Sequence, residues 1–298
     1  MKRIILGIAT LFLSANISAQ TPQKSVNLED MTFVRQSFVR NFYSSNKIMS
    51  QINMEGTNLQ LELSANLILE NSLATPALKQ TGRTLNIAAT EGDVNSIIRV
   101  GAFHPYFTYE VSIADLDSDE QAGIAFYPNS GQGKVIYIYY QNGKVVSKSL
   151  DNGEEKILAE KEVKSAPVTK LRVQYTGVRF HVFSLYDDGS ADLLYSVTND
   201  MRAVESCITH SFGVYANLKK GSDVTLHKAE ALLTCGTGQA DSQIIQHSDG
   251  SPYIKDGRLY LCLTTRGFER IFDSYQGIYS IDLASYEVRL EGALFFGK

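Results

Sequence analysis

Four acidic side chains lie within six positions of one predicted loop, a pattern that can bind a cation. They are Asp115, Asp117, Asp119 and Glu120. Hard cations take several carboxylate and carbonyl oxygens, so Asp115, Asp117 and Asp119 are candidate ligands for a structural Ca²⁺. The loop lacks the glycine and the terminal glutamate of a helix-loop-helix calcium site, and the alternative is a solvated charged turn. The sequence indicates no other cofactor.

The first 20 residues have the pattern of a secretory signal peptide. Lys2 and Arg3 form the positive start, residues 4–13 the apolar run, and Ser18-Ala19 the small residues before a cleavage site. A membrane anchor would need about 20 consecutive apolar residues, and this run is shorter. No cysteine near the cleavage point could accept a lipid. We therefore expect a soluble secreted or periplasmic protein, with no transmembrane segment in the mature chain.

The composition excludes one class of partner. The chain has 298 residues, of which 44% are hydrophobic and 20% charged, as in an ordinary globular protein of one or two domains. Loss of Lys2 and Arg3 with the signal leaves 26 basic against 32 acidic side chains, a net charge of −6 instead of −4. Phosphate backbones require clustered Lys and Arg, and none are clustered here, so nucleic acid is not expected as a partner.

The three cysteines, Cys207, Cys235 and Cys262, are an odd number for an oxidising compartment. One disulfide plus one buried thiol is compatible with them, and so are three buried small side chains. No Cys or His pair has the spacing of a zinc site. The disulfide pairing stays open.

Strand signals recur at regular intervals in the middle of the chain. Between Phe107 and Leu116 apolar and polar residues alternate, which predicts a strand with one buried face. Asn142-Gly143 suits a two-residue hairpin turn, because both of its positions favour positive φ. About a dozen such strands within residues 31–235 predict an all-β sandwich of two sheets, preceded by a disordered lead at 21–30.

Residues 240–298 carry a different pattern, that of a four-stranded meander after a linker near 236–238. Its apolar runs are separated by turns and are Pro252 to Ile254, Leu259 to Thr264, Gly277 to Ile281 and Val288 to Phe296. Such a sheet resembles one blade of a β-propeller, which closes with about 4 to 8 blades. We interpret this part as the first blade of an incomplete propeller.

The strand order of the sandwich resembles a known architecture. The segments that carry the resemblance are TYEVSIADLDSDEQAGIAFYP (108–128), KVIYIYYQNGKVV (134–146), VTKLRVQYTGVRFHVFSLYDDGS (168–190) and SFGVYA (211–216). They are similar to a concanavalin-type jelly roll, in particular to the β-sandwich of family 43 glycoside hydrolases that act as β-xylosidases. GTNLQLEL (56–63) and PALKQTG (76–82) resemble the opening of that sandwich, with Lys79-Gln80 where Arg-Gln is usual. In that family the propeller precedes the sandwich, whereas here the blade-like part follows it.

This resemblance implies an oligo- or polysaccharide ligand and a place for one catalytic group. The family propeller has an aspartate general base at the start of its first blade, and Asp249 stands in that position, with Asp241 a weaker match. Inverting hydrolysis needs two carboxyls about 6.5–9.5 Å apart in opposite protonation states. The blades that would carry the partners of Asp249 are missing, so we expect the isolated chain to be inactive. Alternatively, Asp249 serves only the Asp-Gly-Ser-Pro turn.

A sugar-binding sandwich would need exposed aromatic faces beside amide or carboxylate groups. The candidates on strands of the predicted concave face are Tyr137, Tyr139, Tyr140, His181, Phe183 and Tyr195. Tyr137 and Tyr139 share one side of their strand and Tyr140 lies on the other, so one side must belong to the core. We expect about half of these candidates to be structural.

Three functions are compatible with the sequence. The first is an exported carbohydrate-recognising β-sandwich protein associated with polysaccharide degradation. The second is the N-terminal part of an inverting, family-43-like glycoside hydrolase whose catalytic propeller is truncated. The third is a secreted structural or adhesion domain.

Overall fold

The computed structural model describes residues 47–54, 66–69, 72–164, 168–202, 204–234, 238–266 and 274–294. The chain divides into the units Met1–Asn41 and Phe42–Lys298, and the first lies entirely outside the described residues. The predicted signal peptide, the lead at 21–30 and the run LQLEL (59–63) also lie outside them. Within the described ranges, no helix has the length and apolarity needed to cross a membrane.

These ranges consist almost entirely of strands. In chain order the elements are β1 (Lys47–Gln51), β2 (Leu67–Leu69), β3 (Ala77–Thr81), β4 (Thr84–Ala88), β5 (Val94–Ala102), β6 (Thr108–Ala114), β7 (Gln121–Pro128), β8 (Val135–Gln141), β9 (Lys144–Asp151), β10 (Glu154–Glu162), β11 (Val168–Tyr175), β12 (Arg179–Leu185), β13 (Ala191–Thr198), the short helix α1 (Val204–Thr209), β14 (His210–Leu218), β15 (Asp223–Leu233), β16 (Gly238–Ile244), β17 (Ile254–Lys255), β18 (Arg258–Arg266), β19 (Ser274–Asp282) and β20 (Val288–Leu294).

Two antiparallel sheets form the sandwich. Sheet A has the strand order β13-β12-β11-β6-β15-β4-β3, with β1 also paired to β15. Sheet B has the order β10-β9-β8-β7-β14-β5-β2. Neighbours far apart in sequence, such as β6 beside β15 and β7 beside β14, make the pairing mostly non-local. The predicted all-β, two-sheet fold is confirmed.

The core between the sheets follows the alternation read from the sequence. Phe107, just before β6, and Tyr109, Val111 and Ile113 of β6 all lie in it. The polar face of β6 is buried as well, whereas its alternation predicts a single buried face. Sheet B faces them with residues such as Phe126, whose ring centroid lies 4.8 Å from that of Tyr109 in an edge-to-face arrangement. Burial of each such side chain contributes about 1.5–3 kcal/mol to stability.

Three two-residue hairpins have positive φ at both central positions, as their sequences predict. The φ angles are 47° and 74° at Asn142-Gly143, 50° and 85° at Asn152-Gly153, and 50° and 73° at Asp256-Gly257. These turns set the register of the strands that they join, β8 with β9, β9 with β10, and β17 with β18.

The outer face of sheet B carries a second buried cluster, rich in tyrosine. Its members are Ile97, Ala125, Tyr127, Val135, Tyr137, Tyr139, Val146 and Tyr215. Gly123 lies in register between Tyr139 and Tyr215, whose ring centroids are 5.8 Å apart. A Cβ on Gly123 would lie 2.1 Å from the carbonyl oxygen of Ile138, so the close approach of strands here requires glycine.

The C-terminal sheet has the order β16-β18-β19-β20, with the two-residue β17 paired to β18. One of its faces adds Leu261, Tyr275, Tyr279 and Leu290 to the sandwich core. The predicted meander is present, but its outer strand is β16 rather than the run at 252–254. Strand β16 has the polar sequence GQADSQI and a register shift between Ala240 and Gln243. Its sequence therefore shows no alternation of apolar and polar residues from which the strand could be predicted. The identification as a propeller blade stays a prediction.

Candidate functional site

A cavity of about 340 Å³ opens at the edge of sheet A. It forms because two strands share one edge of β15. β4 pairs with residues 223–226 of β15 and β1 pairs with residues 230–233, so a gap remains between them. A bulge between Leu226 and Lys228 in the pairing with β6 places His227 at this gap.

The cavity is lined mainly by polar groups. Its lining residues are Gln51, Ile52, Asn53, Met54, Arg83, His227, Lys228, Ala229 and Glu230. Ile52, Met54 and Ala229 are buried in the core, whereas the amides, Arg83, His227 and Lys228 are exposed. The amide Nε2 of Gln80 donates to the carbonyl of Met54 at 2.6 Å and so ties β3 to the segment after β1. The cavity therefore offers hydrogen-bond donors and acceptors to a ligand.

An ion network extends from the cavity across the outer face of sheet A. Lys228 Nζ lies 2.8 Å from Glu110 Oε2 and also forms an ion pair with Glu230. Arg172 approaches the other oxygen of Glu110 at 2.6 Å. Glu110 and Glu230 face each other across β6 and β15, and both are buried. The ammonium of Lys228 lies between the two carboxylates and offsets their mutual repulsion. Its ion pair with Glu230 also fixes the orientation of Glu230 at the cavity wall.

The network keeps Glu110 and Lys228 charged near neutral pH. Burial raises the pKa of Glu110, but the hydrogen bond from Lys228 and the charge of Arg172 outweigh it, and the pKa falls below its ordinary value of 4.5. Burial lowers the pKa of Lys228, but hydrogen bonds to Glu110 and Glu230 outweigh that effect and raise it above 10.5. The cavity therefore presents a fixed ammonium beside a carboxylate.

The predicted sugar-stacking tyrosines do not have exposed rings. Tyr137 and Tyr139 lie on the outer face of sheet B, but they are only 2% and 4% exposed. Their rings pack against Tyr215 at centroid distances of 4.6 Å and 5.8 Å. Tyr140 points to the other side and packs, half-buried, against the inter-sheet core. Both sides of β8 are therefore buried, and sugar binding by Tyr137, Tyr139 and Tyr140 stays a prediction.

The three candidates of β12 and β13 serve the sandwich in different ways. His181 is 1% exposed, and its ring nitrogens contact Ser196 Oγ at 2.7 Å and Thr176 Oγ1 at 3.3 Å. Tyr195 accepts a hydrogen bond from Ser147 Oγ at 3.0 Å, which links sheet A to sheet B. Phe183 of β12 is half-buried and lies in register with Arg172 of β11, on the face that carries the ion network.

Asp249 lies exposed in a tight turn. Its Oδ1 accepts hydrogen bonds from the backbone N of Ser251 at 2.9 Å and from Ser251 Oγ at 2.6 Å. These bonds lower the pKa of Asp249 and keep it ionised. The geometry is that of turn chemistry, and the role as a general base stays a prediction. Asp241, the weaker match, has a φ of 55° at the bulge of β16.

The acidic loop separates into exposed and buried members. Asp115, Asp117 and Asp119 are exposed, whereas Glu120 is buried and accepts hydrogen bonds from Lys219 N at 2.8 Å and Ser222 Oγ at 2.9 Å. Among the described residues, no three His, Cys, Asp or Glu side chains are grouped to hold a metal. Calcium binding at Asp115, Asp117 and Asp119 stays a prediction.

Cys262 is a free thiol on β18, and partial burial raises its pKa. Cys235 and the side chain of Cys207 lie outside the described part of the chain. The pairing of the cysteines therefore stays open.

No motif marks the cavity in the sequence. Its walls come from residues 51–54, 83 and 227–230, which are brought together only by sheet pairing. The one local signal is the segment PALKQTG, which contains Gln80. The side-chain amide of Gln80 donates a hydrogen bond to the Met54 carbonyl in the cavity wall. Sequence reasoning therefore identified a residue beside the site but not the site.

Searches with protein-family models and against curated proteins give no match. Among solved structures, the chain is similar to the GH43 BlXynB protein from Bacillus licheniformis, with 15% identity and a TM-score of 0.46, over 62% of this chain and 39% of that one. It is also similar to the carbohydrate binding module CBM66 from Bacillus subtilis, with 14% identity and a TM-score of 0.39, over 56% and 94% of the two chains.

A third similar structure is the VIP36 exoplasmic/lumenal domain in its Ca²⁺/Man3GlcNAc-bound form, with 13% identity, a TM-score of 0.41 and coverage of 61% and 86%. The chain spans well under half the length of the GH43 protein. At these TM-scores we take nothing about function from the likenesses, and the sandwich is established by its own strand pairing.

Proposed function

We propose that this chain is a carbohydrate-recognising β-sandwich protein that binds a short saccharide in the cavity at the edge of sheet A. The observation that carries the proposal is the lining of that cavity. It places amide, guanidinium, imidazole, ammonium and carboxylate groups around a small apolar part. Sugars present hydroxyls that donate hydrogen bonds to such groups and accept hydrogen bonds from them.

The size of the cavity favours a short ligand. Its volume of about 340 Å³ is at the small end of the range of about 300–1,000 Å³ that is typical of small-molecule sites. Lys228, held by Glu110, and Glu230, held by Lys228, would contact hydroxyls in a fixed geometry, since their ion pairs limit rotamer freedom. Gln51 and Asn53 would add amide donors and acceptors from β1 and its extension.

The setting that we propose is an exported protein associated with polysaccharide degradation. It is supported by the signal-like residues 1–20 and by the resemblance of the strand order to the family 43 sandwich. Recognition is preferred to hydrolysis, because the contacts of Asp249 are those of its own turn. Oligo- or polysaccharide is the expected partner, and nucleic acid is not expected.

Binding of the full chain to a glycan array, followed by calorimetry with the best oligosaccharide, tests the proposal. Arg83→Ala and Asn53→Ala each remove one exposed polar group of the wall, and we expect each to weaken binding about 3- to 20-fold. Arg289→Ala, which removes an exposed guanidinium of β20, is the matched control and should bind like wild type. A silent array, or equal affinity for all these chains, would refute the proposal.

A further inference from the structure

The C-terminal sheet has one face that does not enter the sandwich core. Along β18, Leu261 points into the core, whereas its neighbours Tyr260 and Cys262 lie on the opposite face and are half-buried. Across β19, Gln276 shares that face, because it pairs with Thr264. Strands alternate their side chains between faces, so the outward face is a continuous surface of its own.

Three aromatic rings follow one another along one end of this face. The ring centroids of His247 and Tyr253 are 5.3 Å apart, and those of Tyr253 and Tyr260 are 5.1 Å apart at an interplanar angle of 72°. Backbone hydrogen bonds hold their positions, from Tyr260 N to the carbonyl of Tyr253 at 3.1 Å and from Tyr253 N to the carbonyl of Ile245 at 2.8 Å. His247 is exposed and both tyrosines are half-buried, in contrast to the buried tyrosines of sheet B.

Amide and hydroxyl groups continue the face beyond the rings. Gln243 of β16 pairs with Cys262 and is exposed. On the other side, Gln276 Oε1 accepts a hydrogen bond from the thiol of Cys262 at 3.1 Å, and its Nε2 donates to Thr264 Oγ1 at 3.2 Å. The two amides therefore flank Cys262, and Gln276 is held in one orientation by its neighbours.

We infer that this surface is a second carbohydrate contact site, which takes a segment of a neutral polysaccharide. Its contact residues, the aromatic-amide strip, are Gln243, His247, Tyr253, Tyr260, Thr264 and Gln276. Ring faces and edges suit the C–H face of a pyranose, and the amides and the hydroxyl suit its hydroxyl groups. The six residues of the strip contain no carboxylate, ammonium or guanidinium. The guanidinium nearest to them on this face, that of Arg258, is buried and paired with Asp282 and Glu287. This favours neutral sugars over uronates. The inference rests on the proposed function for its ligand class.

Native gel electrophoresis of the full chain, in gels that contain xylan, β-glucan, mannan or polygalacturonate, tests the strip. We expect at least one neutral polymer to retard the wild-type chain. Tyr253→Ala and Tyr260→Ala should weaken that retardation about tenfold. Tyr286→Ala is the matched control, because Tyr286 is a tyrosine of the same sheet that is 70% exposed and outside the strip.

Calorimetry with a short oligosaccharide separates this inference from the proposed function. Strip variants should keep cavity binding, which Arg83→Ala weakens. If the strip variants are retarded like wild type, the inference is overturned and the proposed function stands. The same conclusion follows if no neutral polymer retards the wild-type chain while the oligosaccharide still binds. If circular dichroism shows that Tyr260→Ala is unfolded, the variants at the exposed residues Gln243 and His247 test the inference. Gln243→Ala and His247→Ala should then weaken retardation about 3- to 10-fold, and no change in either would overturn the inference.

Discussion

Glu110 shows how one residue can link the sandwich to its cavity. It lies on the outer face of β6, buried, with Arg172 on one side and Lys228 on the other. The alternation of β6 predicts that Glu110 faces away from the core, but no local signal predicts its two cationic partners. They come from β11 and β15, which are remote in sequence.

Replacing Glu110 by Gln should lower the free energy of unfolding at pH 7 by about 1–2 kcal/mol, a value reduced because both cations are partly exposed. The pKa of Glu110 is depressed in the folded state, so its contribution is present above about pH 4.5 and is lost as the pH falls through the folded-state pKa. Urea unfolding at pH 7 and pH 3 measures this. The difference between wild type and variant should shrink at pH 3.

Glu160→Gln is the control for this prediction, because Glu160 forms an exposed ion pair with Lys144 at 3.1 Å and should have little effect at either pH. An equal loss of stability for Glu110→Gln at pH 7 and pH 3 would show that the charge of Glu110 is not what stabilises the fold.

At the scale of elements, strand β15 determines where the cavity lies. It is paired with β6 along one edge, and along the other edge with β4 and then with β1. The gap lies between Leu226, where the pairing with β4 ends, and Ala229, whose carbonyl accepts a hydrogen bond from Ile52 N just after β1. Gln80 closes one side by its hydrogen bond to Met54.

Gln80→Ala should therefore affect binding more than folding. We expect a loss of about 0.5–1.5 kcal/mol in stability and a several-fold loss of oligosaccharide affinity, since the segment 52–54 loses its tie to β3. Calorimetry and thermal denaturation measure the two effects. The neighbour Lys79 is exposed, and Lys79→Ala should change neither; unchanged affinity in Gln80→Ala would mean that this tie does not shape the cavity.

Elements with a clear period were predictable and others were not. Strands β6 and β8 alternate or run apolar, and the hairpin at Asn142-Gly143 follows from its two residues. Strand β10 is largely exposed and charged, and β16 is polar, so neither carries a hydrophobic period. The burial of both sides of β8 depends on the second cluster, which is a tertiary property.

At the scale of the whole molecule, the C-terminal sheet and the sandwich share a core. Tyr275 of β19 donates a hydrogen bond to the carbonyl of Thr234, directly after β15. Its ring centroid lies 5.8 Å from that of Tyr106, which precedes β6. Leu261 and Tyr279 extend the same buried cluster. A sequence pattern that marks two parts does not show whether they pack together.

A shared core predicts that both parts unfold together. Thermal denaturation followed by far-ultraviolet circular dichroism and by tyrosine fluorescence should give one coincident transition. Leu261→Ala should destabilise the whole transition by about 2–5 kcal/mol, whereas Ile254→Ala, at a site on the same sheet that is 50% exposed, should change it little. Two separate transitions, with only one shifted by Leu261→Ala, would contradict this.

The most direct test of the central claim is a crystal structure of the full chain with the oligosaccharide that binds best. The account predicts saccharide density in the cavity, with hydroxyls within hydrogen-bond distance of Arg83, Lys228 or Glu230 and a C–H face toward Ile52 and Met54. An empty cavity in a crystal where the saccharide is ordered elsewhere on the chain would contradict it.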